Sequence, residues 1–281
     1  MKKLLNKKYL YTLVIALMVI TFVIFLNNSS VLHTLRDENS KAIKYYRSLL
    51  ESKHLTFTEE PVKVLEALNP TKWKFEKRLD LNNVLKNKKI NLVIYNTAIL
   101  NYIPTASQEP VPSTVKIEND IDGLHAFIED GKETFHIGYI GSTISDFNVS
   151  EKDVNYDGTN EIIITSGLFH PKTKIVGFNH ETQKWEIWLQ TGSIDYVDFE
   201  NNGVKTPTTV AKGSIAPLVN IHIWNKNRFD TINVAQILGY EQMILLKKDN
   251  KVYFDTIFSN KGRKAFELRD GMIKEVEDYK Q

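Results

Sequence analysis

Asp153-Val154-Asn155-Tyr156-Asp157-Gly158-Thr159-Asn160-Glu161, running straight into Ile162-Ile163-Ile164, is the stretch that decides how the chain reads. Oxygen-bearing side chains recur at every second position, and Gly158 stands where the bend must be sharpest. A carboxylate then closes the loop ahead of an apolar strand. Calcium takes six to eight oxygens at ~2.3–2.6 Å, and alternate positions of a short loop bring such ligands round one point. Asp153, Asn155 and Asp157 each offer a side-chain oxygen, Thr159 a carbonyl, and Glu161 completes the set. An EF-hand needs a bidentate carboxylate at its twelfth position, where Ile164 stands, and dockerin-type loops fail for the same reason. The plainer alternative is a polar turn before a strand, since Asp, Asn and Gly favour turns anyway. Four oxygen side chains in one register favour the ion, with a structural role: neutralising clustered carboxylates. Hydrolysis by a metal-bound water is disfavoured by calcium's weak acidity and by the lack of a nearby base.

The 281 residues suffice for a full core, and 25% charged with 42% hydrophobic residues is ordinary for a globular protein. The net charge of +2 becomes −2 once Lys2, Lys3, Lys7 and Lys8 are set aside, so nothing favours a nucleic-acid partner. Cysteine is absent, which excludes disulfides, thiolate metal sites, cysteine nucleophiles and a lipid-modified cysteine anchor.

Residues 9–26 carry no charge. Eighteen helical residues at ~1.5 Å each cover most of a bilayer core of roughly 30 Å. Four lysines precede the run, so the positive-inside rule places residues 1–8 as a cytoplasmic basic tail and the bulk of the chain outside. A cleaved signal peptide has a shorter apolar region and a small-residue cleavage site, which does not follow Leu26, so an uncleaved single-pass anchor is expected. Residues 31–89 read as a helical stalk or linker. Val31, Leu35, Ala42, Ile43, Tyr46, Leu49 and Leu50 recur mostly at three- or four-residue steps as far as Ser52. A second short helix is expected from Pro61. The basic stretch 72–89 reads as a solvated face rather than a lipid-headgroup patch.

From residue 90 the texture is strand and turn. Asn91–Tyr95 is β-rich, and Leu124–Ile128 and Thr134–Tyr139 flank an Asp-Gly turn. The segment from Asp153 registers on the one from Asp198 at a period of 45, with Asp153, Asp157 and Gly158 over Asp198, Asn202 and Gly203. Hairpins over Ile175–Trp185, Ile221–Phe229 and Ala265–Ile273 repeat one template. Their aromatic or apolar anchors Phe135, Trp185, Phe229 and Ile273 are spaced 50, 44 and 44. Four mostly β units of ~40–50 residues have the form of propeller blades. The fold expected is therefore mainly β, a domain over 90–281 of propeller-like repeats of about 45 residues, behind a transmembrane helix and a short helical stalk.

The acidic loop and its strand, Asp153 to Ile164, resemble the FG-GAP/VCBS repeats of integrin-α-like β-propellers. That resemblance implies a calcium ion held on a blade and surfaces used for adhesion or ligand recognition. The second loop departs from it at Glu200, Asn202 and Thr206.

The seven histidines show no HExxH or other ligand spacing, and GxSxG, P-loop and GxGxxG motifs are lacking. Trp185, Trp188 and Trp224 read as hairpin core anchors ahead of a sugar platform. The function expected is a membrane-anchored extracytoplasmic binding or scaffolding protein, at the cell surface, with an extracellular protein or glycan ligand and a structural calcium ion. The alternative is a cell-surface hydrolase with a propeller-like cleft.

Overall fold

The computed structural model describes residues 37–281, apart from 71, 86–87, 98–121, 168–170, 211–217, 257–261 and 278–281. The expected cytoplasmic tail and membrane anchor lie outside the described residues. Among those described, no helix is long and apolar enough to cross a membrane. Of the described residues, 37–45 belong to one compact unit and 46–281 to a second. Helix α1 occupies residues 37–50, within the stretch whose apolar spacing predicts a helix.

The helix expected from Pro61 is not formed; the chain there is extended. Strand β1 (Thr58–Glu59) is followed by β2 (Lys63–Val64). Glu60 precedes a proline, which disfavours the helical region, and Val62 and Val64 are β-branched. Partners decide the matter, because three sheet edges offer this segment hydrogen bonds that a short helix would forgo.

The four sheets are antiparallel, and each contains four strands in simple chain order. The first holds β3 (Lys74–Leu81), β4 (Ile90–Asn96), β5 (Leu124–Asp130) and β6 (Glu133–Gly141). The second holds β7 (Phe147–Lys152), β8 (Glu161–Ser166), β9 (Lys172–Asn179) and β10 (Lys184–Thr191). The third holds β11 (Ile194–Val197), β12 (Thr206–Val210), β13 (Val219–Asn225) and β14 (Arg228–Asn233). A short helix, α2 (Val234–Leu238), capped by Asn233, leads to the fourth. That sheet holds β15 (Ile244–Lys248), β16 (Lys251–Asp255), β17 (Ala265–Arg269) and β18 (Met272–Glu275). The repeat anchors Phe135, Trp185, Phe229 and Ile273 each fall on the fourth strand of a sheet. The β structure begins at β1, ahead of the boundary expected at residue 90.

The second sheet shows why its strands are apolar on both faces. Ile162, Ile164, Val176, Trp185 and Ile187 pack with Ile90, Leu92, Ile94 and Ile128 of the first sheet. Ile163, Ile175, Trp188 and Leu189 pack with Phe229 and Trp224 of the third. A sheet buried on both sides reads as a continuous apolar run, and Ile162-Ile163-Ile164 is that run. A bulge between Ile187 and Leu189 shifts the register, so Trp188 and Leu189 both join the second cluster. Gly177 is required here: a Cβ would fall 2.2 Å from the Trp188 ring.

The extended segment then fastens three sheets by their fourth strands. Thr58 and Glu59 pair with Thr231 and Asp230 of β14, and the Glu60 amide donates to the Phe229 carbonyl at 2.9 Å. Lys63 and Val64 pair with Ile187 and Glu186 of β10, and the Leu65 amide donates to Trp185 at 2.8 Å. Ala67 bridges Phe135, and the Leu68 amide donates to Thr134 at 2.8 Å. Exposed sheet edges invite pairing with other chains, and this strap occupies three of them.

Candidate metal loop and adjoining cleft

The loop between β7 and β8 is built by its first residue. Asp153 Oδ1 accepts from the Asp157 amide at 3.2 Å and Oδ2 from the Gly158 amide at 2.9 Å. Asn155 Oδ1 takes the Asp157 amide at 2.9 Å, and its Nδ2 donates to Asp157 Oδ2 at 2.9 Å. Asp157 Oδ1 accepts from the Thr159 amide at 2.7 Å and from the Thr159 hydroxyl. Tyr156 at φ 61° and Gly158 at φ 87° turn the chain through left-handed conformations. Nothing lies within 4 Å of a Cβ at Gly158, so backbone conformation alone calls for glycine there.

Glu161 differs from the others. It is 2% exposed, and its Oε2 accepts from the Val154 amide at 2.8 Å. Burial pushes its carboxyl up to about 9, against the pull of the Val154 amide, and the charges of Asp157 and Asp153 add to the shift. Burial also raises Asp153, opposed by the Gly158 amide. Among the described residues no lysine or arginine forms an ion pair with Asp153, Asp157 or Glu161. Lys152 instead places its ammonium 3.1 Å from the centroid of the Tyr196 ring, and burial lowers it to about 8.

All five residues predicted as ligands, Asp153, Asn155, Asp157, Thr159 and Glu161, thus lie on one loop. In this conformation Asp153 and Asp157 turn toward the loop's own amides, with Asn155 bridging to the Asp157 carboxylate. Among the described residues no three His, Cys, Asp or Glu side chains are placed to hold a metal ion. An ion taking up the loop would replace the Asn155 and Thr159 contacts to Asp157.

The loop between β11 and β12 repeats the frame. Asp198 accepts from the Asn202 amide at 3.0 Å and the Gly203 amide at 2.7 Å, and Asn202 accepts from the Val204 amide at 2.8 Å. Burial raises Glu200, while the backbone amides of Gly271 and Asp270 pull it down, so this side chain faces the β17–β18 turn. The buried position matching Glu161 is Thr206.

A cleft of about 480 Å³ opens beside the first loop. Its walls are Leu85 and Lys88 from the β3–β4 connection, Asp157 and Thr159, and Phe178, His180 and Gln183 from the β9–β10 hairpin. The Asn82 and Asn83 amides donate to Glu151 at 3.2 and 2.9 Å, and the Asn160 amide to the Asn83 carbonyl at 3.0 Å, joining two of these walls. Sequence reading missed the cleft, because its residues come from three connections up to about a hundred positions apart and share no motif.

Trp185 and Trp188 behave as core anchors, 1% and 3% exposed, with the Trp224 ring tilted against Trp188 at 4.5 Å between centroids. His125, His136 and His222 are strand residues with partners, while His54 and His180 stand at turns. His222 lies buried between the Thr209 and Thr231 hydroxyls, each at 2.7 Å, and His125 meets His136 at 3.1 Å. Comparison with known protein families, characterised proteins and solved structures finds no match for the chain.

Proposed function

We propose that the protein is an extracytoplasmic binding or scaffolding module, carried on an N-terminal membrane anchor, whose four sheets are propeller-like blades. One calcium ion is held by Asp153, Asn155, Asp157, Thr159 and Glu161 and pins the second blade. The observation that carries this reading is Glu161. A carboxyl side chain is buried into the base of an acidic loop, beside two further carboxylates, and among the described residues no side-chain cation pairs with them. Burial holds Glu161 in its uncharged form, and a hard cation drawn to it, to the half-buried Asp153 and to the exposed Asp157 would supply the charge that lets it ionise. The chain-order topology of four similar sheets and the likeness of Asp153–Ile164 to FG-GAP/VCBS loops support the same reading. The uncharged run 9–26 behind four lysines supports the anchor.

Thermal unfolding of the full-length chain in EDTA and in calcium tests the ion. With calcium at about a hundredfold excess over a typical extracellular-module affinity, a gain of roughly 2.7 kcal/mol, or a few degrees, is expected. Magnesium should not reproduce it. Asp157→Ala should abolish the response and Asp198→Ala should leave it intact; an unchanged response in Asp157→Ala removes the ion from this loop.

A further inference from the structure

We propose that the cleft beside the Asp153 loop is a carbohydrate site for a neutral sugar. The ring's apolar face lies on Phe178, and its hydroxyls reach Thr159, His180, Gln183 and the ion held by the loop. Only the last contact rests on the calcium reading above.

The lining selects the ligand class. Leu85 and Phe178 supply apolar surface, and Lys88, Asp157, Thr159, His180 and Gln183 supply polar groups. A wholly apolar ligand would cut the exposed Asp157 carboxylate and the Lys88 ammonium off from water and offer no hydrogen bond in return, which is costly. An anion gains little, since the Lys88 ammonium already lies 2.5 Å from Asp130 and Asp157 stands in the same cleft. A polyhydroxylated ring satisfies both kinds of surface, offering C–H groups to an aromatic face and hydroxyls that both donate and accept. The volume of about 480 Å³ suits one or two sugar rings.

The walls are fixed before any ligand arrives. Phe178 is held edge-on by Trp185 at 5.2 Å and by His180 at 5.3 Å between centroids. The Trp185 indole donates to Asp130 Oδ2 at 3.1 Å, and Asp130 in turn holds Lys88. Gln183, at φ 57°, donates from Nε2 to the His180 carbonyl at 2.7 Å. Such preorganisation spares the ordering cost of binding. Trp185 and Trp188 are too buried to serve as the platform, whereas Phe178 is half-buried and borders the cleft. Asp157 is exposed, so an ion bound there keeps an open side on which adjacent sugar hydroxyls complete the oxygen shell.

The test is isothermal titration of the full-length chain with chitotriose, maltotriose and methyl α-mannoside, in calcium and in EDTA. At least one probe should bind in calcium, more weakly in EDTA. Phe178→Leu preserves the apolar packing and should weaken binding about tenfold while leaving the calcium-induced thermal shift unchanged. His180→Ala, at an exposed position, should weaken it less. If no probe binds while calcium still raises the melting temperature, the sugar site is overturned and the ion stands. If Phe178→Leu binds as tightly as the parent, the site is likewise overturned. Equal binding in calcium and EDTA, with loss in Phe178→Leu, supports the cleft and removes the ion from it.

Discussion

The loops at Asp153 and Asp198 share a backbone and part company in their chemistry. In both, the first aspartate receives the amides four and five residues on, and a residue with positive φ sits at the fourth position, Tyr156 or Asn201. Gly158 and Gly203 both lie at φ 87°. Of the five expected ligand positions the third, fifth, seventh and ninth differ, Thr159 at the seventh giving way to Val204. Asn155 turns into its loop while Glu200 faces a neighbouring turn, Asp157 is replaced by Asn202, and Glu161 by Thr206. The shape is therefore written by Asp, Asx and Gly at the first, fifth and sixth positions. The remaining positions decide whether a shaped loop is also a charged one.

Glu161→Gln gives the largest break in that comparison. The folded state raises this carboxyl to about 9, above its ordinary value near 4.5, so it favours the protonated form. The associated stability is full below the unfolded value and is lost as pH rises toward 9. In EDTA the parent should therefore weaken from about pH 5 to pH 9. Glu161→Gln should abolish that slope and gain about 5 kcal/mol at pH 8, read by urea unfolding. A slope that survives the substitution assigns the titration to another group.

Next in size are Asp153→Ala and Asp198→Ala. Each removes a carboxylate receiving two amides, and in EDTA both should cost about 2 kcal/mol in urea unfolding. Equal losses establish a common structural role; a loss confined to one would show that the two loops are not mechanically equivalent. The smallest effect is expected from Gly158→Ala and Gly203→Ala, about 1 kcal/mol each, because alanine resists the left-handed conformation. A larger cost at one site would reveal packing demands that its counterpart lacks.

The repeat was legible because its markers are local: Asp, Gly and a strand at a 45-residue period, and an aromatic or apolar anchor on the fourth strand of each sheet. The five residues proposed as ligands are consecutive alternate positions, so spacing alone puts them on one loop. The segment after Phe57 misled because Pro61 starts helices and edge strands alike. Its conformation depends on β6, β10 and β14, strands that lie about 70 to 170 positions downstream. Glu200 reads as a degraded ligand in sequence, yet its environment is the Gly271 turn, again a non-local fact. The cleft escaped notice for the same reason.

The strap also sets how force enters the β domain. A pull on the N-terminal side of residue 58 reaches the β14 pairing first, then the one on β10, then the contact at Phe135. Each attachment is only a few hydrogen bonds long, and they are loaded one after another rather than together. Tension would therefore peel the strap off in three steps before it reached the longer ladders within the sheets, making those attachments a series of mechanical fuses.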